Sequence, residues 1–333
     1  MRLVVRLVGA LVSVALFFGV AGFLGLRWLE RWLDAPGPLA EERILVVPRS
    51  GLGALSAFLE ENGIVDRAWA FELAARLSGR ERALKAGEYR FAAGTTPRAV
   101  LELLESGRVV LHRITIPEGL TTREVHALLE AAEVLEGPLP PPGRNGTLLP
   151  ETWLVPRGEP RIRVLERMQE AMRATLEELW AGRAPGLPYA RPEEAVILAS
   201  LVERETPKEE ERPLVAAVFV NRLKLGMRLQ SDPTVIFALT GGRNELGRPL
   251  SRRDLEIDHP FNTYRIAGLP PEPIANPGRG ALAAALRPAE VDYLYFVADG
   301  RGGHLFARDL AEHNRNVARW RQMREAAERG DDG

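Results

Sequence analysis

Between Arg6 and Arg27 runs LVGALVSVALFFGVAGFLGL, twenty residues without a charge. As a helix rising about 1.5 Å per residue it reaches about 30 Å, the hydrocarbon thickness of a bilayer. The chain is therefore expected to open with a short stretch over 1–6, a membrane-spanning helix over 7–26 and a linker over 27–43. In that linker Pro36 and Pro38 interrupt regular structure and Glu41 and Glu42 keep it solvated. A cleaved signal peptide is the competing reading, but its apolar region is normally about 7–15 residues and ends in an A-x-A site, which is missing here. Arg2 and Arg6 on one flank nearly balance Arg27 and Arg31 on the other, so charge alone does not set the orientation.

Beyond that helix the chain reads as globular, since 46% of its 333 residues are hydrophobic and 27% charged. A net charge of −1 gives no electrostatic reason to expect nucleic acid. With no cysteine, disulfides and thiolate chemistry are excluded. The five histidines, His112, His126, His259, His304 and His313, show no metal-ligand spacing, so each reads as a surface or hydrogen-bonded structural residue, and neither metal nor cofactor is expected. No GxSxG elbow or GxxxxGK[ST] loop occurs, and no GxGxxG sits between a strand and a helix.

An α+β fold follows from the pattern of elements. RILVVP and GEYRF read as strands around the helical segments GALSAFLEENG and RAWAFELAARLSG. Then come a helix capped by Thr96 with Pro97 in its first turn, a strand in VVLHRITIP and a Thr-capped helix in TTREVHALLEAA. The Pro- and Gly-rich stretch over 135–150 reads as a boundary loop between a region over 44–134 and a second domain over 151–325. That second domain starts with a long helix whose stripe is Val164, Met168, Met172, Leu176 and Trp180. Two further helices follow, and VDYLYFVADGRGGHLFAR near the end reads as a β-hairpin.

The chemistry centres on EEAVILASLVERET. On a helix, Glu203 continues the apolar face of Val196, Ala199 and Ser200, where desolvation raises a carboxyl pKa and suits it to general acid work. The structural alternative is a helix-end glutamate satisfied by Arg204 or Arg222; Glu205 reads as a surface charge. Gln230, Ser231 and Asp232 precede a proline-started helix, where Ser231 or Asp232 caps the helix or the cluster opens toward a sugar ring. Asn262, Thr263 and Tyr264 stand at the head of a loop fixed by Pro and Gly.

Taken together, LASLVERET, VFVNRLKLGMRLQSDPTVIFAL, FNTYRIAGLPPEPIANPG and YLYFVADGRGGHLFARDLAEHNR resemble the endolytic murein transglycosylases of the MltG, YceG-like, type. The segments KAGEYRF and IPEGLTTREV resemble that family's LysM-like region. The resemblance implies a single-pass protein of the bacterial cytoplasmic membrane, amino terminus inside, with a LysM-like domain and a catalytic domain outside. It implies cleavage of nascent peptidoglycan strands, with Glu203 catalytic and Gln230, Asp232, Asn262, Thr263 and Tyr264 binding glycan. It also raises cell-wall synthases and division proteins as partners. Two alternatives stay open: a hydrolase pairing Glu203 with Asp232, and a tethered glycan-binding scaffold.

Overall fold

The computed structural model describes Arg2–Gly242 and Glu245–Gly330, and Met1 of the expected amino-terminal stretch lies outside the described residues. The architecture is mixed α+β and divides into two compact units. Unit 1 runs to His112 and takes in Pro156–Gly158; unit 2 comprises Arg113–Val155 and the chain from Glu159 on.

Unit 1 holds α1 (Arg2–Asp34), β1 (Arg43–Val47), α2 (Leu52–Glu61), α3 (Ala68–Leu77), β2 (Gly87–Phe91) and α4 (Pro97–Ser106). β1 and β2 pair antiparallel, with Leu45 opposite Tyr89. The Thr96 hydroxyl accepts from Ala99 N at 3.2 Å, capping α4 beside Pro97 as its sequence predicts. Helix α1 does not stop with the uncharged run. It continues to Asp34, and Leu29, Trp32, Leu33 and Leu39, all from the stretch read as linker, join Leu59, Phe71, Tyr89 and Leu104 in the core. The physical reason is amphipathic: past Leu26 the apolar residues recur at i, i+3 and i+4, which suits packing against protein on one side instead of lipid all round.

Unit 2 is entered through β3 (Leu111–Thr115). After it come α5 (Thr122–Ala131), β4 (Leu135–Glu136), β5 (Thr152–Pro156), β6 (Glu159–Pro160), α6 (Arg161–Ala181), α7 (Pro192–Glu205) and α8 (Arg212–Lys224). The unit ends with α9 (Asp232–Thr240), α10 (Arg279–Leu286), β7 (Tyr295–Ala298), β8 (His304–Ala307) and α11 (Leu310–Gly330). β3 pairs with β5, β4 runs parallel to β6, and β7 and β8 pair antiparallel with Phe296 opposite Phe306. Thr121 and Glu124 form a capping box at the start of α5.

Helix α7 is the axis of unit 2. Pro192 occupies its first turn, and the Glu194 carboxylate accepts from Ala190 N and Arg191 N at 2.9 and 3.1 Å. Every residue from Ala195 to Val202 is buried, packed with Val215 and Phe219 of α8 and Leu282 and Leu286 of α10. A helix apolar all round belongs in a core. Thr206 is extended and Pro207 follows, which ends the helix just past Glu203 and Glu205.

Candidate active site

Glu203 sits in the last turn of α7, its side chain only 4% exposed. Its oxygens have two different donors. Oε1 accepts from Arg212 Nη2 at 2.9 Å, and Oε2 accepts from Gly278 N at 2.8 Å. Arg212 begins α8, and Gly278 is the residue from which α10 starts, so the carboxylate lies at the positive end of one helix dipole. The sequence offered Arg204 or Arg222 as partner; the tertiary fold supplies Arg212. Arg222 instead braces backbone, donating to Leu294 O at 2.7 Å and Leu229 O at 2.8 Å.

The same Arg212 Nη2 also donates to Glu118 Oε2 at 2.6 Å. Two carboxyl groups thus share one guanidinium, Glu203 almost dry and Glu118 39% exposed. This crowding favours the neutral form of Glu203. Burial raises the Glu203 pKa to about 7, the Gly278 bond pulls it down, and the Glu118 charge pushes it further up against the opposing pull of Arg212. The Arg212 Nε, by contrast, is buried without a partner.

Two glycines make this cluster possible. Gly119 has φ 79°, a left-handed conformation that turns the chain immediately after Glu118. At Gly278 the constraint is space, because a Cβ there would stand 1.7 Å from Glu118 Oε1. Asn276, fully buried, ties the two loops together. Its Nδ2 donates to Leu120 O at 3.0 Å and to Thr122 Oγ1 at 3.2 Å, its Oδ1 accepts from Leu148 N at 3.1 Å, and its carbonyl accepts from Gly119 N at 3.1 Å. Sequence reasoning missed Glu118, Arg212, Gly278 and Asn276; the signals were IPEG and ANPG, two short motifs whose meeting the linear chain does not disclose.

A second polar cluster adjoins the end of α7. Glu205 is not a surface charge: its Oε1 accepts from Ser231 Oγ at 2.5 Å, and burial raises its pKa to about 7. The Ser231 hydroxyl is thereby spent, and α9 starts without a side-chain cap. Gln230 is the one non-glycine residue with positive φ among the described residues, at 52°, held by its N–H on Thr263 O at 3.2 Å. Gln230 and Asp232 are exposed, and the Tyr264 hydroxyl donates to Asp232 Oδ1 at 2.6 Å. Tyr264 is half-buried, and Gln230 Oε1 accepts from Arg222 Nη1 at 3.4 Å. Asn262 and Thr263 are fully buried instead, contrary to a groove-lining role. Asn262 Nδ2 donates to Leu255 O and Ile257 O at 3.0 and 2.8 Å, and Thr263 Oγ1 accepts from Ser231 N at 2.9 Å. Their amide and hydroxyl are used up in fixing the loop.

His304 is hydrogen-bonded and structural: Glu211 accepts from its backbone N at 3.0 Å and pairs with its Nδ1 at 2.7 Å, joining the start of β8 to α8. Among the described residues no group of three or more His, Asp and Glu side chains is placed to hold a metal ion. An apolar cavity of about 450 Å³ borders the opposite half of α7, lined by Met172, Leu176, Val196 and Ile197, and Glu203 is not part of it.

A buried carboxyl with a raised pKa, flanked by a backbone N–H and by a guanidinium shared with Glu118, is a candidate acid–base group on an α+β scaffold. The chain belongs to the YceG-like family, whose match spans residues 44–319. It is similar to the endolytic murein transglycosylase of Bacillus subtilis strain 168, 46% identical over 118 residues, 35% of this chain and 32% of that protein. It is also similar to the endolytic murein transglycosylase of Streptococcus pneumoniae serotype 2 strain D39, 28% identical over 318 residues, 81% of this chain and 56% of that one. The chain thus spans about half the length, or less, of these curated relatives. Among solved structures, a crystal structure of a YceG-like protein from Listeria monocytogenes matches with a TM-score of 0.53 and 26% identity, covering 83% of this chain and 98% of that one.

Proposed function

We propose that this protein is an endolytic lytic transglycosylase, cutting the bond between N-acetylmuramic acid and N-acetylglucosamine within nascent peptidoglycan and leaving 1,6-anhydro ends. The observation that carries the reading is the burial of the Glu203 carboxyl in a dry site beside Arg212 and the Gly278 N–H, donors that stabilise it once it ionises. Its relatives' names agree with it.

In the first step Glu203 gives its proton to the glycosidic oxygen, and the C–O bond breaks as positive charge develops on the muramic ring. Arg212 and the Gly278 N–H hold the carboxylate so formed. In the second step that carboxylate takes the proton of the ring's own C6 hydroxyl, whose oxygen bonds to C1. The nucleophile is already tethered, so no water has to be positioned. The proton returns to Glu203 and the cycle closes. Gln230, Asp232 and Tyr264 bind glycan, while Asn262 and Thr263 brace the loop that carries Tyr264.

Hydrolysis is the second reading. Glu118 and Glu203 both touch Arg212 Nη2, at 2.6 and 2.9 Å, and their side chains also hydrogen-bond to each other. That is closer than the separation of about 5–5.5 Å found for retaining glycosidases, so Glu118 is placed to tune Glu203 and not to attack the sugar itself. Product mass separates the two, since hydrolysis adds a water. Incubating uncrosslinked glycan strands with the protein should yield anhydro-muropeptides, and Glu203→Gln should lower the rate by about 10²–10⁴. Reducing ends as the sole product would replace the first reading by the second.

In this reading α1 anchors the protein in the cytoplasmic membrane with both units outside, and unit 1, whose β1 and β2 flank α2 and α3, is the LysM-like part. Cell-wall synthases and division proteins are its partners.

A further inference from the structure

We propose that one face of α3, carrying Trp69, Leu73 and Leu77, lies in the headgroup region of the bilayer crossed by α1, so that unit 1 rests on the membrane as well as hanging from it. This rests on α1 being a membrane span. Trp69, Leu73 and Leu77 are 58%, 41% and 60% exposed, while Ala70, Phe71, Ala74 and Ala75 of the same helix are buried in the core. Spaced at i, i+4 and i+8, the three form one apolar stripe on a ten-residue helix. Single exposed apolar residues are ordinary, but a contiguous stripe marks a surface with a partner.

The partner follows from where α3 meets α1. The end of α1 is fixed in unit 1: Trp32 Nε1 donates to Asp66 Oδ1 at 2.7 Å, and Arg98 binds Asp34 and Glu30 at 2.6 and 2.7 Å. Trp28 stacks on Trp69 with ring centres 5.3 Å apart and planes within 7°. At the far end of α3, Leu77 lines one cleft with Leu26 and Leu29. Both ends of α3 thus reach the stretch of α1 from Leu26 to Leu33, where the uncharged run gives way to the part packed in unit 1. Leu29, Trp32 and Leu33 of that stretch are covered by the unit's own core. On the other side Leu7 to Leu26 are exposed throughout, a surface that needs lipid. The stripe adjoins it through Leu26, Trp28 and Trp69. Tryptophan favours this border, and Arg67, 5.2 Å above the Trp28 ring, presents a cation where lipid phosphates stand.

The chain has no cysteine, so single nitroxide labels can be placed at will. In full-length protein in phosphatidylglycerol–phosphatidylethanolamine nanodiscs, labels at Leu73→Cys and Leu77→Cys should collide with oxygen in preference to a nickel chelate. Their ratio should fall between those of Phe17→Cys in the span and Glu61→Cys on the exposed end of α2. Ratios equal to that at Glu61 overturn the proposal while leaving the anchor intact. A water-like ratio at Phe17 removes the anchor and the proposal with it, and neither outcome touches the assignment of Glu203.

Discussion

At the scale of single residues, the arrangement around Glu203 is a contest over one proton. Burial favours the neutral acid, Arg212 and Gly278 favour the anion, and Glu118 tips the balance by drawing on the same guanidinium and adding its own charge. With Glu203 as the acid, kcat/KM should hold steady at low pH and fall as pH rises through about 7. Glu118→Gln removes a negative neighbour and leaves Arg212 to Glu203 alone, so that descending limb should move to lower pH by about one unit, worth about 1.4 kcal/mol. Arg212→Gln should move it the opposite way. A pH–rate series on the two variants checks this, and equal losses at every pH would show Glu118 to be merely structural. The same shifts enter stability. Glu203 and Glu205 have raised folded pKa values, so the stability they contribute is complete below the unfolded carboxyl pKa and is lost as pH climbs through about 7. Glu203→Gln should therefore be more stable than the native chain at pH 8, by about 1–3 kcal/mol in denaturant melts, while turning over about 10²–10⁴ more slowly.

At the scale of elements, the site is built from ends. The last turn of α7, the first residue of α8, the start of α10 and the turn after β3 each contribute one group, and of these only Glu203 and Arg212, nine residues apart, are close in sequence. Asn276 is the joint between two of those ends. Asn276→Ala leaves Leu148 N–H without its acceptor in the interior and should cost about 1–3 kcal/mol in chemical denaturation. It should also lower kcat, because the Glu118 turn keeps only its backbone tie to residue 276. Gly278→Ala places a methyl where Glu118 Oε1 now lies, so its descending limb should move to lower pH, as for Glu118→Gln, with little change in melting temperature. Glu211 behaves oppositely to Glu203. Burial raises its pKa, but His304 and Thr206 outweigh that and hold it below the ordinary range, so this tie between α8 and β8 weakens only as pH falls through that lowered value.

At the scale of the molecule, α1 belongs to two environments. Its uncharged run has no protein cover, whereas Leu29, Trp32 and Leu33 are core residues of unit 1. A chain beginning at Arg27 should keep unit 1 folded and soluble. One beginning at Pro36 removes all three and should lose several kcal/mol, since each large buried side chain deleted costs about 2–5 kcal/mol. Circular dichroism melts of the two decide it; equal melting temperatures would mean that the end of α1 contributes nothing to that core.

How much of this was legible in the chain depends on the range of the physics involved. Periodicity, caps and length act within a few residues. They were enough to mark the apolar span, the Thr96 and Thr121 starts, the stripe of α6, the burial of α7 and the suspicion falling on Glu203. Glu205 was misread because its partner, Ser231, lies a whole helix and loop away. Asn262 and Thr263 were misplaced because composition tells that a loop is fixed without telling which of its polar groups do the fixing. The pairing of Glu118, Arg212 and Gly278 with Glu203 was decided only by tertiary structure: hydrogen bonds and Coulomb forces depend on distance in space, and packing alone sets which distant residues share it.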